Sequence, residues 1–182
     1  MSAALVVIDV QNDYFPGGNH PLVGPDEAAA VVAQLLERFR DRGEPVIHVR
    51  HQWDAPDAPY LKAGSPGGEI HDSVRPRDGE VVIDKAYPNA FLDTELGERL
   101  GVTGAERVVV VGMMTNMCID ASVREAVDRG IDTVLVADGC AASDLAYGGT
   151  KIDGATVHAA FLAALSDAGA TVVTSEDLDS AL

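Results

Sequence analysis

The stretch ERVVVVGMMTNMCIDASVREAVDRG at 106–130 contains the residue best suited to nucleophilic chemistry, Cys118. Its four consecutive valines predict a buried strand of a parallel sheet, and the apolar spacing that follows predicts a helix ending at Gly130. Cys118 is then expected in the first helical turn, where the partial positive charge of the helix N-terminus lowers a thiol pKa. We predict that Cys118 is a nucleophile and partly a thiolate near neutral pH. The alternative is a small buried hydrophobic residue among gap-filling methionines.

Two other candidate residues lie at the ends of apolar runs. Asp9 falls at the end of the first predicted strand, where open α/β sheets place their ligand crevice. The alternative for Asp9 is an Asx turn that leads out of the strand. Lys85 follows EVVID directly, and a lysine at a strand end is usually solvated. We therefore expect Lys85 at the rim of the sheet, where loss of its side chain opens no cavity in the core.

The alternation of strand and helix patterns predicts the fold. Apolar runs indicate six strands, near 3–10, 45–50, 80–84, 108–111, 133–137 and 170–173. Helical patterns separate them, including one from Pro25 to Gly43 and a short one from Thr94 that stops at Gly101. The fold class is therefore α/β, a doubly wound, Rossmann-like, three-layer α/β/α arrangement around a six-stranded parallel sheet. A reversal of strand order beside the first strand would bring Asp9 and Cys118 together.

Composition limits the classes of function. The 182 residues are expected to form a single domain, 1–182, without help from disulfides or metals. Twenty-nine acidic and thirteen basic residues give a formal charge of −16, which opposes binding to nucleic acid or to an anionic membrane. No apolar run approaches the ~20 residues of a membrane span. The two cysteines, Cys118 and Cys140, lack metal-ligand spacing, and a cytoplasmic location is expected.

The segment from 51 to 79 has no apolar periodicity and is rich in Pro, Gly and Asp. Long loops of this kind often form lids or binding loops. Its residues suited to recognition are His51, Trp53, Tyr60 and His71. Trp53 is a candidate for the pocket wall. The alternatives are that its side chain covers the core as a bulky plug or that it forms part of an oligomer interface. His48, on the strand before the loop, is expected to be a core or interface histidine.

Three separated motifs resemble the isochorismatase-like cysteine hydrolases: DVQND at 9–13, Lys85 followed by NAF at 89–91, and GMMTNMCIDASVREAVDRG at 112–130. The resemblance runs nearly end to end and implies a triad of Asp9, Lys85 and Cys118. In such a triad the thiolate attacks a carbonyl carbon, the carboxylate transfers protons, and the ammonium stabilises both anions. The resemblance also implies an oxyanion hole formed by backbone N–H groups of Met114 and Cys118, with a cis peptide bond between Met113 and Met114.

The same resemblance sets expectations about ligands. Family nicotinamidases bind a divalent metal through an Asp-x-His-x-x-His arrangement beyond the second strand, whereas this chain reads VRHQWDAPDAPY there. We therefore predict no metal site and no cofactor. The residues expected to contact the substrate are Gln11, Tyr14, Trp53 and Phe91. A homo-oligomer is also expected.

The predicted activity is metal-independent hydrolysis of a C–N bond, amide or ureido, in a small molecule through a thioester on Cys118. One alternative is a vinyl-ether hydrolase of the isochorismate type, in which Asp9 protonates the substrate and Cys118 is secondary. A second alternative is a non-catalytic ligand-binding protein on the same fold. The presence of all three triad residues argues against the second alternative.

Overall fold

The structure, a computed structural model, describes residues 2–182. Its strands are β1 (Ala3–Ile8), β2 (Val46–His51), β3 (Val81–Lys85), β4 (Arg107–Met113), β5 (Asp132–Ala141), β6 (Leu145–Tyr147), β7 (Thr150–Ile152) and β8 (Thr171–Val173). Six of them form one parallel sheet in the order β3-β2-β1-β4-β5-β8, and β6 and β7 form a separate antiparallel hairpin. Every residue of β1 is buried, as expected for a central strand covered on both faces.

The strand order reverses beside β1, which pairs with β2 on one side and with β4 on the other. Ile8, the last residue of β1, is level with Val49 of β2 and with Gly112 of β4. The predicted α/β sheet and the adjacency of its first and fourth strands are confirmed. In doubly wound sheets such a reversal opens a crevice at the carboxyl ends of the strands. The segments that follow β1 and β4 therefore meet at one edge of the sheet.

Helices cover both faces of the sheet. They are α1 (Pro25–Asp41), α2 (Leu96–Thr103), α3 (Asp120–Asp128), α4 (Gly154–Asp167) and α5 (Leu178–Ala181). Helices α1 and α5 pack on one face, and α2, α3 and α4 pack on the other, so that Leu5 of β1 faces α1 whereas Val6 faces the opposite core. Among residues 2–182, no helix combines the length and the apolar character that crossing a bilayer requires.

Gly112 allows β1 and β4 to approach closely at the edge that carries the candidate residues. Its φ is 128°, and a β-carbon placed on it would lie 1.9 Å from the carbonyl oxygen of Ile8. The pairing of β4 with β5 also changes register between Val110 and Gly112. Only glycine fits this backbone conformation and this contact. The segment that bears Cys118 starts from this point.

Several boundaries differ from those predicted. Helix α2 runs to Thr103 and is followed by Gly104 in the left-handed region, so Gly101 lies inside the helix and does not end it. Strand β5 continues past the predicted end at 137 to Ala141 and therefore includes Cys140. The β6–β7 hairpin and α5 were not predicted, because elements of three or four residues are too short to show a periodic apolar pattern.

Candidate active site

Asp9, Lys85 and Cys118 converge at the carboxyl edge of the sheet. Asp9 follows β1, Lys85 is the last residue of β3, and Cys118 lies in a helical turn beyond β4. The Lys85 Nζ atom is 2.7 Å from Asp9 Oδ2 and 3.2 Å from Cys118 Sγ. All three residues are buried, with at most 4% of their surface exposed. Charges this close, away from water, interact strongly.

The ammonium group of Lys85 is surrounded by acceptors. Its Nζ donates to the Tyr87 carbonyl oxygen at 3.0 Å and to Cys118 Sγ at 3.2 Å, and it lies 3.0 Å from His51 Nδ1. Burial lowers the pKa of Lys85, but the neighbouring Asp9 and Cys118 outweigh burial and leave that pKa raised. The expectation of a solvated lysine at the rim is wrong, because the chain beyond β3 folds back over the side chain and supplies the Tyr87 carbonyl.

Asp9 has a backbone conformation that is uncommon for a residue other than glycine. Its φ is 51°, in the left-handed region that aspartate tolerates better than most residues, and its N–H donates to the Val49 carbonyl at 2.9 Å. Among residues 2–182, no donor makes a hydrogen bond of good geometry to either carboxylate oxygen. The 2.7 Å contact with Lys85 is an ion pair.

Cys118 lies in a π-helical turn, Thr115–Ile119, and the regular helix α3 begins only at Asp120. The Ile119 N–H reaches back to the Met114 carbonyl at 3.2 Å, which widens the turn. Burial and then the Asp9 carboxylate raise the pKa of the Cys118 thiol, and the opposing effect of Lys85 does not cancel them. The predicted lowering of the Cys118 pKa is therefore wrong in direction, because desolvation and the Asp9 carboxylate outweigh Lys85. Cys118 thus lies beside the buried pair of Asp9 and Lys85.

The backbone before Cys118 has the geometry that the resemblance implied. The peptide bond between Met113 and Met114 is cis. Met114 is buried, lines the cavity described next, and uses its carbonyl oxygen to accept hydrogen bonds from the N–H groups of Met117 and Ile119. The assignment of the Met114 and Cys118 N–H groups to an oxyanion hole stays a prediction.

A cavity of about 250 Å³ opens over Cys118. Most of its wall is aromatic or apolar and consists of Tyr14, Trp53, Tyr60, Leu61, Met114 and Met117. His51, Ala86, Pro88 and Cys118 complete the lining, whereas Asp9 and Lys85 lie below its floor. The volume is under the ~300–1,000 Å³ of pockets for drug-sized ligands. The arrangement therefore suits a small molecule held against the sulfur of Cys118.

The structure places two of the four expected substrate contacts at this cavity. Tyr14 is buried in its wall, and Trp53 is 38% exposed at its side. Gln11 does not reach the cavity, because its amide donates to the carbonyls of His51 and Gly68. Phe91 packs in the core on the α2 and α3 side, and neither residue is available to a ligand. The expected substrate contacts of Gln11 and Phe91 are thus not supported.

Two residues of the DVQND motif instead hold the long loop in place. Gln11 also accepts a hydrogen bond from the His51 N–H at 2.8 Å, and Asp13 accepts one from the Leu61 N–H at 2.7 Å. A β-carbon on Gly67 would lie 2.2 Å from Asp13 Oδ1, so the loop packs directly on this carboxylate. These contacts fix the loop so that Tyr60 faces the cavity. This role is not apparent from the sequence, because side chains that form hydrogen bonds to a distant backbone leave no periodic pattern.

His51 is the site residue whose place the sequence indicated least. It ends β2, level with Lys85 on β3, and it both lines the cavity and lies 3.0 Å from the Lys85 ammonium through Nδ1. Its position at the end of a parallel strand and its place in the long loop are the features of the sequence that point to the site. His71, in the same loop, instead stacks on Phe15 with ring centroids 3.7 Å apart. His48 pairs with Glu80 at 3.1 Å.

The site contains atoms of a kind that bind metals. Ligand-type atoms of Asp9, His51 and Cys118 lie within 4.8 Å of one another. Lys85 Nζ, however, is 2.7, 3.0 and 3.2 Å from these three residues, respectively. A charged ammonium thus sits among the donors where a divalent cation would have to sit, and two cations there would repel each other. The donor set fits a buried lysine better than a metal ion, and metal independence stays our prediction.

Comparison with known proteins agrees with this geometry. The family model of the Isochorismatase domain matches residues 3–177 of this chain. The uncharacterized isochorismatase family protein YddQ of Bacillus subtilis is 46% identical over 176 residues, which cover 97% of this chain and 98% of YddQ. A crystal structure from Oleispira antarctica, assigned to the isochorismatase hydrolases, is 44% identical, covers 97% of this chain and 95% of its own, and superposes with a TM-score of 0.93. Maleamate amidohydrolase of Pseudomonas putida is 35% identical over 148 residues, or 73% of this chain and 69% of that enzyme. The chain is therefore a member of the isochorismatase family of hydrolases.

Proposed function

We propose that this hydrolase is a metal-independent cysteine amidohydrolase that cleaves a C–N bond, amide or ureido, of a small molecule. The observation that carries the proposal is the position of Lys85 Nζ, 2.7 Å from Asp9 and 3.2 Å from Cys118, directly beneath a cavity that exposes Cys118. A nucleophile, a proton acceptor and a fixed cation are the three parts that acyl transfer through a thioester requires.

The first half of the reaction forms the thioester. Asp9 accepts the proton of the Cys118 thiol as the sulfur attacks the amide carbonyl carbon, and Lys85 stabilises the anionic partners. The tetrahedral intermediate then collapses. Asp9 returns its proton to the nitrogen, the C–N bond breaks, and ammonia leaves. Because burial and Asp9 raise the pKa of the Cys118 thiol, the mechanism assigns to Asp9 the removal of the thiol proton.

The second half restores the enzyme. Water attacks the thioester carbonyl carbon and loses a proton to Asp9. The C–S bond breaks, the carboxylic acid leaves, and the proton returns from Asp9 to the sulfur. No oxidant, reductant or metal enters either half. For an amide, the sum is an amide and water converted into a carboxylic acid and ammonia; for a ureido group, the same steps give a carbamic acid and ammonia.

The name of one relative supports this choice of bond. Maleamate amidohydrolase, 35% identical over 148 residues, is named for hydrolysis of an amide. Isochorismate hydrolysis is the second candidate, because the family domain carries that name. It is less well supported, because isochorismate has two carboxylate groups and the cavity lining includes no lysine or arginine.

The test is ammonia release over a panel of small amides and ureido compounds. We expect release by the wild-type protein and none by Cys118→Ala. The matched control is Cys140→Ala, which removes the other buried cysteine and should retain activity because Cys140 does not line the cavity over Cys118. Pyruvate release from isochorismate that persists in Cys118→Ala would instead support the vinyl-ether reaction.

A further inference from the structure

The lining of the cavity carries no cationic side chain. Among residues 2–182, those that line it include neither lysine nor arginine. The ammonium of Lys85 lies beneath the floor, donates to the Tyr87 carbonyl and Cys118, and is matched by the Asp9 carboxylate at 2.7 Å. An anionic group on a substrate would therefore find no counter-ion within the cavity, and a buried carboxylate without one is strongly disfavoured.

His51 does not supply the missing cation. Its Nδ1 lies 3.0 Å from the Lys85 ammonium, so Nδ1 presents a lone pair and the proton is assigned to Nε2. Burial and then the charge of Lys85 lower the pKa of His51, despite the opposing effect of Asp9. A second proton would place two cations in contact. His51 therefore serves as a neutral hydrogen-bond donor in the cavity wall.

The aromatic residues of the wall are neutral as well. Burial raises the pKa of both Tyr14 and Tyr60, so their hydroxyls keep their protons. The ring centroid of Tyr60 is 6.1 Å from that of Tyr14 and 5.6 Å from that of Trp53. The Trp53 and Tyr60 rings are perpendicular and the Tyr14 and Tyr60 rings are tilted, so the three rings pack against one another in the wall. Such a wall favours apolar groups, and it offers a charged group only neutral hydrogen-bond donors and no counter-ion.

We infer that this site accepts amides whose non-reacting part is uncharged and largely apolar, and that it rejects amides bearing a carboxylate. The inference rests on the proposed function and names its substrate class. It sets this protein apart from relatives such as maleamate amidohydrolase, whose named substrate carries a carboxylate. The cavity of about 250 Å³ limits the acyl group to a small one.

Three amides of similar length test the inference through turnover. Pentanamide ends in an alkyl group, succinamide ends in a neutral amide, and succinamate ends in a carboxylate. We expect kcat/KM for pentanamide and succinamide to exceed that for succinamate by at least about 100-fold, because a charge left unpaired in the cavity is penalised. Succinamide has two reactive groups, which accounts for only a factor of about two.

Binding gives a second readout that does not need turnover. Trp53 is the one tryptophan of the chain and lines the cavity, so its fluorescence reports occupancy. In the Cys118→Ala variant, which cannot form the thioester, pentanamide and succinamide should change this fluorescence in a saturable way. Succinamate should require at least about 100-fold higher concentration.

A variant of Ala86 tests directly whether the absence of a cationic side chain from the cavity lining causes the rejection of a carboxylate. Ala86 is exposed and lines the cavity, so a long side chain fits there without disturbing the core. Ala86→Arg should raise the ratio of succinamate to pentanamide binding about tenfold, because it offers the carboxylate a charged partner. Ala86→Gln adds a long neutral side chain and should leave the ratio unchanged.

The possible outcomes separate this inference from the proposed function. Ammonia released faster from succinamate, with loss of activity in Cys118→Ala, would keep the function and overturn the substrate class. The inferred substrate class would also be overturned if succinamate and the neutral amides changed the Trp53 fluorescence at equal concentrations, or if none of them changed it. Selective binding of the neutral amides without any ammonia release would uphold the selectivity of the cavity and contradict amide hydrolysis.

Discussion

The ammonium nitrogen of Lys85 lies 2.7 Å from Oδ2 of Asp9, and neither side chain is exposed to solvent. A buried ion pair contributes little to stability compared with an apolar pair of the same shape, whereas removal of one partner leaves a charge that is buried and unmatched. Stability alone is therefore a weak reason for this pair. Its position 3.2 Å from the sulfur of Cys118 supports a role in catalysis.

Lys85→Met should be both inactive and unstable. Methionine keeps the length of the side chain but leaves Asp9 without its cation, so the free energy of unfolding should fall by about 3–5 kcal/mol. Urea denaturation measures this loss. The sequence alone predicted almost no effect on stability, because it placed Lys85 at a solvated rim.

The matched control for Lys85→Met is the double variant Asp9→Asn with Lys85→Met. It removes both charges, so it should regain much of the lost stability while remaining inactive. A stability for Lys85→Met within about 0.5 kcal/mol of the wild type, as for most surface substitutions, would contradict a buried pair.

The thiol of Cys118 should react slowly with iodoacetamide at neutral pH. Burial and the Asp9 carboxylate raise its pKa, so the thiolate fraction in the free protein is smaller than that of a simple thiol with a pKa of about 8.5. The alkylation rate should still be rising at a pH where glutathione has reached its plateau. If the alkylation rate of Cys118 instead levels off at a lower pH than that of glutathione, the helix N-terminus and Lys85 outweigh burial and Asp9 in setting the Cys118 pKa.

Gly112→Ala should destabilise the protein by at least about 3 kcal/mol. A β-carbon there would lie 1.9 Å from the Ile8 carbonyl oxygen at a φ of 128°, and the strand that precedes Asp9 would have to move. The control is Gly101→Ala, within helix α2, where a β-carbon meets no atom within 4 Å. That change should stabilise by up to about 1 kcal/mol. Equal thermal midpoints for the two variants would refute the close approach.

Association of copies remains a prediction. The sequence grounds were the resemblance and the two aromatic residues Trp53 and Tyr60 of the long loop, but both residues line the cavity. Helix α4 offers a better surface, because it carries no charged residue before Asp167 and buries only Gly154, Val157 and Leu165. We expect sedimentation at micromolar concentration to show a homo-oligomer. A single species of 19.0 kDa would contradict it.

The fold was largely predictable because each central strand is a continuous apolar run. Val108 to Val111, for example, are buried on both faces and have no polar alternation that would suggest another arrangement. The place of Asp9 beside the Cys118 segment followed from the reversal of strand order. Short elements such as the β6–β7 hairpin could not be predicted, because strands of three residues show no detectable periodicity of apolar residues.

The burial and the contacts of the site residues were less predictable from the sequence than the identity of those residues. Residue types and motifs indicated Asp9, Lys85 and Cys118, but the extent of their burial depends on loops that pack from distant parts of the chain. That burial reverses the expected shift in the Cys118 pKa and turns Lys85 from a rim residue into half of an internal ion pair. Gln11 shows the same limit, since only tertiary structure reveals that its amide pairs with His51 and Gly68.

The measurement that tests the account most directly is the mass of the Cys118 peptide during turnover. Wild-type protein is mixed with the best amide from the panel, quenched in acid while substrate remains, digested and analysed by mass spectrometry. We predict that the peptide containing Cys118 gains the mass of the acyl group, that ammonia accumulates, and that Cys118→Ala shows neither. Ammonia release at an undiminished rate by Cys118→Ala would contradict the thioester mechanism.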